Sequence, residues 1–279
     1  MRATMRLLIV FLIGCNISLA ANTPITQKEA CASFMPAVVR IDVSDGKATG
    51  FVVTADGWIV TAAHVVLDPK TGQRLSAILV TLPDGHAQLG NVYIDESSAI
   101  RDFALLKIDA HNLPFLKLGS ELDVEPGSDI TIIGYPFSAE GSYGAPINAK
   151  FCMSGTVAAI DSIKYDRVKI NAVYFQGPAI KGISGGPIIS RDTGTVIGIQ
   201  SQKLAGIGVG LDNARKQLGA VKAGGLVATM GGVDLNDTFT DIINVLDRHL
   251  ANGLGTATGA SDADDFLRQS IRTQRRQAK

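Results

Sequence analysis

Short apolar runs with a period of two dominate the chain from Val38 onward. Val38-Val39-Arg40-Ile41-Asp42-Val43 and Gly50-Phe51-Val52-Val53-Thr54 are rich in β-branched residues, and Ala55-Asp56-Gly57 ahead of Trp58-Ile59-Val60 supplies a hairpin turn. Further strands are predicted over 77–82, 86–93, 103–108, 130–134, 154–160, 168–175, 186–189, 196–201 and 207–211. About a dozen short strands, with turn residues roughly every 8 to 12 positions, predict an antiparallel sandwich or barrel. Helices belong to the ends of the chain. Residues 25–35 predict a short one that stops ahead of Pro36, because the residue before proline avoids helical dihedrals. Phe239, Ile242, Ile243, Leu246 and Leu250 form an apolar stripe at helical spacing, with Asn236 or Asp237 as N-cap and Gly253 after it, and are expected to pack on the body. Residues 253–260 read as a linker, and Ser261-Asp262-Ala263-Asp264-Asp265 caps a basic final segment, so 253–279 is expected to be a flexible tail.

Composition narrows the class. With 46% hydrophobic and 19% charged residues, the 279-residue chain can bury one large core or two small ones. Basic and acidic residues balance at 26 each, so no surplus positive field attracts phosphates, and nucleic acid is not an expected partner. The first 20 residues differ: Arg2 and Arg6 precede an apolar run, and small residues follow at Ser18, Ala20 and Ala21. This is the pattern of a secretory signal peptide, and it predicts an exported protein, periplasmic or secreted. Its apolar run is shorter than the roughly 20 residues a spanning helix needs, and no later one is longer. Leu12-Ile13-Gly14-Cys15 resembles a bacterial lipobox, so a lipid anchor at Cys15 is the alternative to cleavage after Ala20. In an oxidising compartment Cys31 and Cys152 either form a disulfide or stay as two buried thiols; both readings remain open at this level.

Three segments carry candidate chemistry. Ile59-Val60-Thr61-Ala62-Ala63-His64-Val65-Val66 places a histidine just after a strand. Arg101-Asp102-Phe103-Ala104-Leu105-Leu106 places a carboxylate at the head of an apolar strand. Gly182-Ile183-Ser184-Gly185-Gly186-Pro187 sets a serine in a glycine-rich turn. Taken singly, each has an ordinary structural explanation as a core histidine, a turn former or a loop serine. Together, in the order His, Asp, Ser, they fit nucleophilic catalysis: an imidazole removes the serine proton, and a carboxylate fixes the imidazole tautomer and stabilises its cation. Glycines beside the serine let the backbone turn sharply and aim N–H groups at one point.

These segments, with ATGFVVTADGWIVTAAHVV and GTVIGIQS, resemble the trypsin-like serine proteases of the chymotrypsin fold, nearest to the bacterial Deg/HtrA-type branch. The resemblance implies an all-β fold of two six-stranded antiparallel barrels with a C-terminal helix. The first barrel would span 36–125 and the second 126–222, after an N-terminal helical segment over 21–35, with loop and helix over 223–252. It implies His64, Asp102 and Ser184 as the triad of a serine endopeptidase acting on proteins or peptides, with the N–H groups of Gly182 and Ser184 as the oxyanion hole. Ser201 would support the aspartate, and Gln202 and Lys203 would lie on the strand that pairs with substrate. Pro178 and Ala179 would floor the primary pocket, with Gly208 on its far wall and Lys181 near its mouth. No metal or cofactor is implied.

The chain also departs from those patterns. Ile183 stands where digestive members carry an aspartate that receives a freshly cut N-terminus, Gly177 stands where the Deg/HtrA branch tends to be acidic, and no PDZ domain is expected after the second barrel. The competing function is a binding protein that keeps the fold without turnover. An α/β-hydrolase esterase fits less well, since that family runs Ser, Asp, His along the chain.

Overall fold

The computed structural model describes residues 24–44, 46–136, 149–165, 167–203, 214, 216–222, 224, 229–230, 233–250 and 254–277. The leader, Cys15, Gly208 and the predicted strand 207–211 lie outside these residues.

Thr26 opens the first helix, α1 (Gln27–Phe34), by a reciprocal capping box with Glu29. A 3₁₀ turn, Met35–Ala37, then leads into a sheet formed by β1 (Val38–Val43), β2 (Gly46–Val52), β3 (Trp58–Thr61), β4 (Leu79–Thr81), β5 (Ala87–Leu89), β6 (Asn91–Tyr93) and β7 (Ala104–Lys107). Its order is β5-β4-β1-β2-β3-β7-β6. Seven strands replace the expected six because Gly90 breaks the predicted 86–93 strand into β5 and β6, which occupy opposite edges of the sheet. One bent segment thus supplies both edges and wraps the sheet round. A Cβ at Gly90 would lie 3.3 Å from Val80 Cγ2, a tight approach, and in ordinary contact with Leu106, so the corner has little spare room.

The second sheet is a closed barrel in the order β10-β15-β12-β11-β8-β9. Its members are β8 (Asp129–Gly134), β9 (Phe151–Tyr165), β10 (Val168–Gln176), β11 (Pro187–Ser190), β12 (Val196–Lys203) and β15 (Leu254–Gly259). A two-stranded ribbon, β13 (Thr229–Met230) with β14 (Val233–Asp234), lies outside it. Two short helices interrupt the first half, α2 (Ala63–Val66) and α3 (Glu96–Ile100), and two longer ones lie near the end, α4 (Leu235–Leu250) and α5 (Ala260–Gln277).

Alternation along the strands sorts side chains into three cores. Val39, Ile41, Val52, Ile59, Val80 and Leu106 fill the first barrel, and Ile130, Ile132, Val173, Phe175, Ile188 and Ile197 fill the second. Their neighbours Val38, Phe51, Trp58, Leu105, Ile133, Ile189 and Val196 turn the other way and form a layer between the barrels. These strands are buried on both faces, which is why they read as nearly continuous apolar runs instead of a clean alternation.

The end of the chain differs from expectation. Residues 254–259 are a barrel strand rather than a linker: β15 pairs with β10 on one side and β12 on the other, so the second barrel extends beyond 126–222. Residues 260–277 form α5, whose Ala260, Ala263 and Leu267 are buried in the layer between the barrels. The glycines that suggested flexibility are required by packing, since a Cβ at Gly255 would enter the Phe175 ring and one at Gly259 would meet the Glu121 carboxylate. In α4, the Asp234 carboxylate accepts from the N–H of Asn236 and of Asp237, so the cap precedes the predicted one. Ile243 is buried, whereas Phe239 and Ile242 stay 52% and 47% exposed.

A disulfide joins Cys31 of α1 to Cys152 of β9 across 121 residues. A chain-entropy estimate puts its stabilisation at roughly 4 to 5 kcal/mol as an upper figure. Cys31→Ser is therefore expected to lower the unfolding temperature, read by circular dichroism with and without reductant on the parent protein; an unchanged midpoint would assign the bridge no stabilising role.

Candidate active site

The local fold around each of the three candidate residues has an identifiable cause. β3 ends at Thr61 and the chain turns at once into α2, which carries His64. Its backbone N–H donates to Asp102 Oδ1 at 2.9 Å. Asp102 terminates α3, a helix the sequence reading missed because Asp95-Glu96-Ser97-Ser98 looks like a polar turn; Asp95 and Ser98 in fact form its capping box. At the other end the Asp102 N–H donates to Ala99 O and the Phe103 N–H to Ser98 O, the paired bonds of a Schellman motif. Asp102 takes the left-handed position of that motif, φ 61°. Glycine suits this position, and a residue with a Cβ is strained there, so the carboxylate is held at a conformational cost.

The His64 Nδ1–H faces the Asp102 carboxylate, 3.0 Å from Oδ1 and 2.9 Å from Oδ2. An ionised carboxylate only accepts, so the proton sits on Nδ1 and leaves Nε2 as the basic nitrogen. The imidazole is 42% exposed and the aspartate side chain 19%. Burial opposes the charge on Asp102, but the His64 ring, the Ser201 hydroxyl and the His64 N–H outweigh it and hold the carboxyl below its ordinary value. Stability gained this way is complete above the unfolded pKa and is lost as pH falls through the lower, folded one.

Ser201 reaches the aspartate through a bulge. The β12–β15 register shifts between Gln200 and Gln202, and the Ser201 Oγ–H donates to Asp102 Oδ2. The Ser201 carbonyl in turn accepts from Ser184 Oγ at 3.5 Å. His64, Asp102, Ser201 and Ser184 are thus one connected set. In this structure the serine hydroxyl rests on the strand carbonyl.

The loop between β10 and β11 presents Ser184. Ile180 to Ile183 form a turn closed by Ile183 N–H to Ile180 O at 3.4 Å, with Gly182 third at φ 95°, the pattern of a type II turn. Gly185 is also left-handed, φ 81°, and a Cβ there would overlap Thr49 O and Thr61 Oγ1. Gly186 has Ile133 O and Ile183 O as close neighbours. The first glycine after the serine is needed because the first barrel packs directly on this turn, the second because the backbone of β8 and of the turn itself closes on it. The N–H groups of Gly182 and Ser184 donate to no group among the described residues.

Of the pocket candidates, Pro178 is half-buried, Ala179 is buried and Lys181 is exposed. Gln202 and Lys203 pair with Thr256 and Gly255 of β15 on one side. On the other side β11 ends its pairing at Ile199, and Gln200 bonds Gly185 and Gly186. At Gly177 a Cβ would lie 2.7 Å from Ile132 Cδ1, so the end of that side chain would have to shift to admit the acidic residue of the resembled branch. Sequence reasoning overlooked Thr49, fully buried against the Ser184 loop. A threonine inside a strand run carries no visible signal of that contact.

The sequence profile of a family described as a trypsin-like peptidase domain matches residues 48–199. A protein named "Probable periplasmic serine endoprotease DegP-like" from Halomonas elongata is 34% identical over 154 residues, 55% of this chain and 29% of that one. "Serine protease HTRA1B" of Danio rerio is 35% identical over 184 residues, 62% of this chain and 36% of that one. The chain therefore spans well under half the length of these relatives. Among solved structures, "HtrA-type protease AlgW with tripeptide" superposes with a TM-score of 0.59 over 90% of this chain and 65% of that one, at 19% identity, a likeness of fold. The matched span runs from within β2 to Ile199 in β12 and encloses all three candidate residues, so the chain belongs to the trypsin-like peptidase family.

Proposed function

We propose that this chain is an exported serine endopeptidase that cleaves peptide bonds through an acyl-enzyme on Ser184. The observation that carries this reading is the connected set His64–Asp102–Ser201–Ser184 beside two N–H groups that engage no partner among the described residues. In the proposed reaction His64 Nε2 takes the Ser184 proton as Oγ adds to the scissile carbonyl, and Asp102 stabilises the imidazolium that forms. The tetrahedral oxyanion lies between the N–H groups of Gly182 and Ser184, each worth about 3 to 4 kcal/mol at the transition state. His64 then protonates the leaving amine, and water attacks the acyl-enzyme by the same steps in reverse. Export rests on the leader and on the periplasmic relative, and the Cys31–Cys152 bridge fits an oxidising compartment.

For specificity, the resemblance puts Pro178 and Ala179 at the pocket floor, with no carboxylate among them. A basic P1 side chain would be buried without a counter-charge, which is prohibitively costly, whereas an aliphatic one gains roughly 1.5 to 3 kcal/mol by burial. Lys181, exposed three residues before Ser184, and Lys203, on the strand that would pair with substrate, favour an acidic P1 instead. Peptides matched except at P1, assayed at low and high salt, are expected to show preference for Val, Ala or Leu that salt does not change. An acidic preference that salt screens would assign the pocket mouth to Lys181 and Lys203. Efficient cleavage after Arg would overturn the specificity, and no cleavage of any peptide would overturn the enzyme.

A further inference from the structure

The two N–H groups assigned to the oxyanion belong to the peptide units 181–182 and 183–184. Between and after them lie the units 182–183 and 184–185, and each of these is held at both ends. In the first, Ile183 N–H donates to Ile180 O at 3.4 Å, and Gly182 O accepts from Thr49 Oγ1 at 2.7 Å. In the second, Gly185 N–H donates to Gln200 O at 2.7 Å, and Ser184 O accepts from Thr49 N–H at 3.0 Å. One residue of the first barrel therefore grips both carbonyls of the loop in the second. Because peptide units are planar, pinning alternate units leaves the intervening ones little freedom to rotate.

Thr49 is itself fixed. It is fully buried, its carbonyl accepts from Thr61 Oγ1 at 2.8 Å, and its own hydroxyl accepts from Tyr135 N–H at 2.9 Å while donating to Gly182 O. Only a hydroxyl both accepts and donates in so small a space. The 3.4 Å turn bond is the sole other hold on unit 182–183 among the described residues, and it is long.

We propose that Thr49 is the positioning residue of the oxyanion hole: by holding Gly182 O and Ser184 O from the first barrel, it keeps the N–H groups of the same two residues aimed at the substrate carbonyl. The inference rests on the serine-peptidase reading. Thr49 touches neither substrate nor the reacting atoms, so its effect falls on transition-state stabilisation and spares ground-state binding.

The test is Thr49→Val, nearly isosteric and without the hydroxyl, beside Thr49→Ser, which keeps it. Loss of a whole oxyanion donor typically lowers kcat by about 10²- to 10³-fold, so a misaimed one in Thr49→Val is expected to lower kcat by about 10- to 100-fold with KM within about 3-fold, and Thr49→Ser to restore most of it. In parallel, amide nuclear magnetic resonance of the free proteins should show the Gly182 and Ser184 N–H signals displaced in Thr49→Val and near the parent positions in Thr49→Ser. Unchanged kcat, an equal loss in kcat and through KM, or failure of Thr49→Ser to restore would each overturn the role. If Thr49→Val does not fold, Thr49→Ala takes its place, and misfolding of both would assign Thr49 to structure alone. A parent protein with no turnover would instead overturn the peptidase reading, and undisplaced amides in Thr49→Val would still overturn the positioning role.

Discussion

Ser184→Ala is expected to lower peptide turnover by a factor on the order of 10⁶ while leaving the fold intact, and His64→Ala nearly as much. The reason is that the parts act as one unit. Without Oγ no acyl-enzyme forms, and the oriented imidazole has no proton to move; without the imidazole, the hydroxyl is a poor nucleophile at neutral pH. The geometry adds a detail. Ser184 Oγ bonds the Ser201 carbonyl at 3.5 Å, a weak contact, so the side chain must turn toward His64 when substrate arrives. Catalytic hydrogen bonds often tighten only in the substrate complex, so this resting position is compatible with an active enzyme. A fluorophosphonate probe reports the same chemistry without a substrate of known sequence. The parent protein should label at Ser184, Ser184→Ala should not, and both should give the same circular dichroism. More than a few per cent of parent turnover in Ser184→Ala would remove the serine from the mechanism. Parent protein that folds and neither labels nor cleaves would favour the non-catalytic binding reading.

Much of the candidate site was legible because its residues sit beside strong patterns. His64 follows the apolar β3, Asp102 precedes the apolar β7, and Ser184 stands among glycines whose need is steric. The strands buried on both faces were equally visible as runs of Val, Ile and Phe. What escaped detection depends on partners distant in sequence. Asp102 closes a five-residue helix whose polar first turn imitates a loop. The Ser201 contact was expected from the family resemblance alone; the bulge of β12 against β15 that delivers it has no mark in GIQSQK. Thr49 is one threonine in a strand until the second barrel packs on it. In Leu254–Gly259, the six residues LGTATG offer two glycines and few large apolar side chains, the usual marks of a linker. Their glycines instead make room for Phe175 and Glu121, a reason that exists only in the assembled barrel.

That last difference leads to the second large effect. Deleting residues 254–279 is expected to abolish labelling and turnover by unfolding the second barrel, whereas loss of a flexible tail would change neither. β15 hydrogen-bonds to β10 and β12, so its removal opens the closed barrel and exposes two strand edges. The buried Glu121 carboxylate loses the Ser261 hydroxyl and N–H and, among the described residues, keeps the Asn171 amide; a buried carboxylate short of partners is strongly destabilising. Leu267 and the alanines of α5 leave the layer between the barrels; burial of one large side chain such as Leu267 stabilises by roughly 1.5 to 3 kcal/mol. The site is touched directly as well. Thr258 Oγ1 donates to Arg101 O, the carbonyl of the peptide unit that leads into Asp102, and Asp262 lies 3.2 Å from the Arg101 Nε. The first contact holds the backbone just ahead of the strained aspartate, and the second holds the Arg101 side chain beside it. A milder variant separates packing from deletion: Gly255→Ala drives a Cβ into the Phe175 ring, an overpacking that typically costs about 1 to 3 kcal/mol. Thermal unfolding followed by near-ultraviolet circular dichroism, with probe labelling in parallel, decides the matter. A truncated protein that melts cooperatively near the parent temperature and still labels at Ser184 would return residues 254–279 to the role of a dispensable tail.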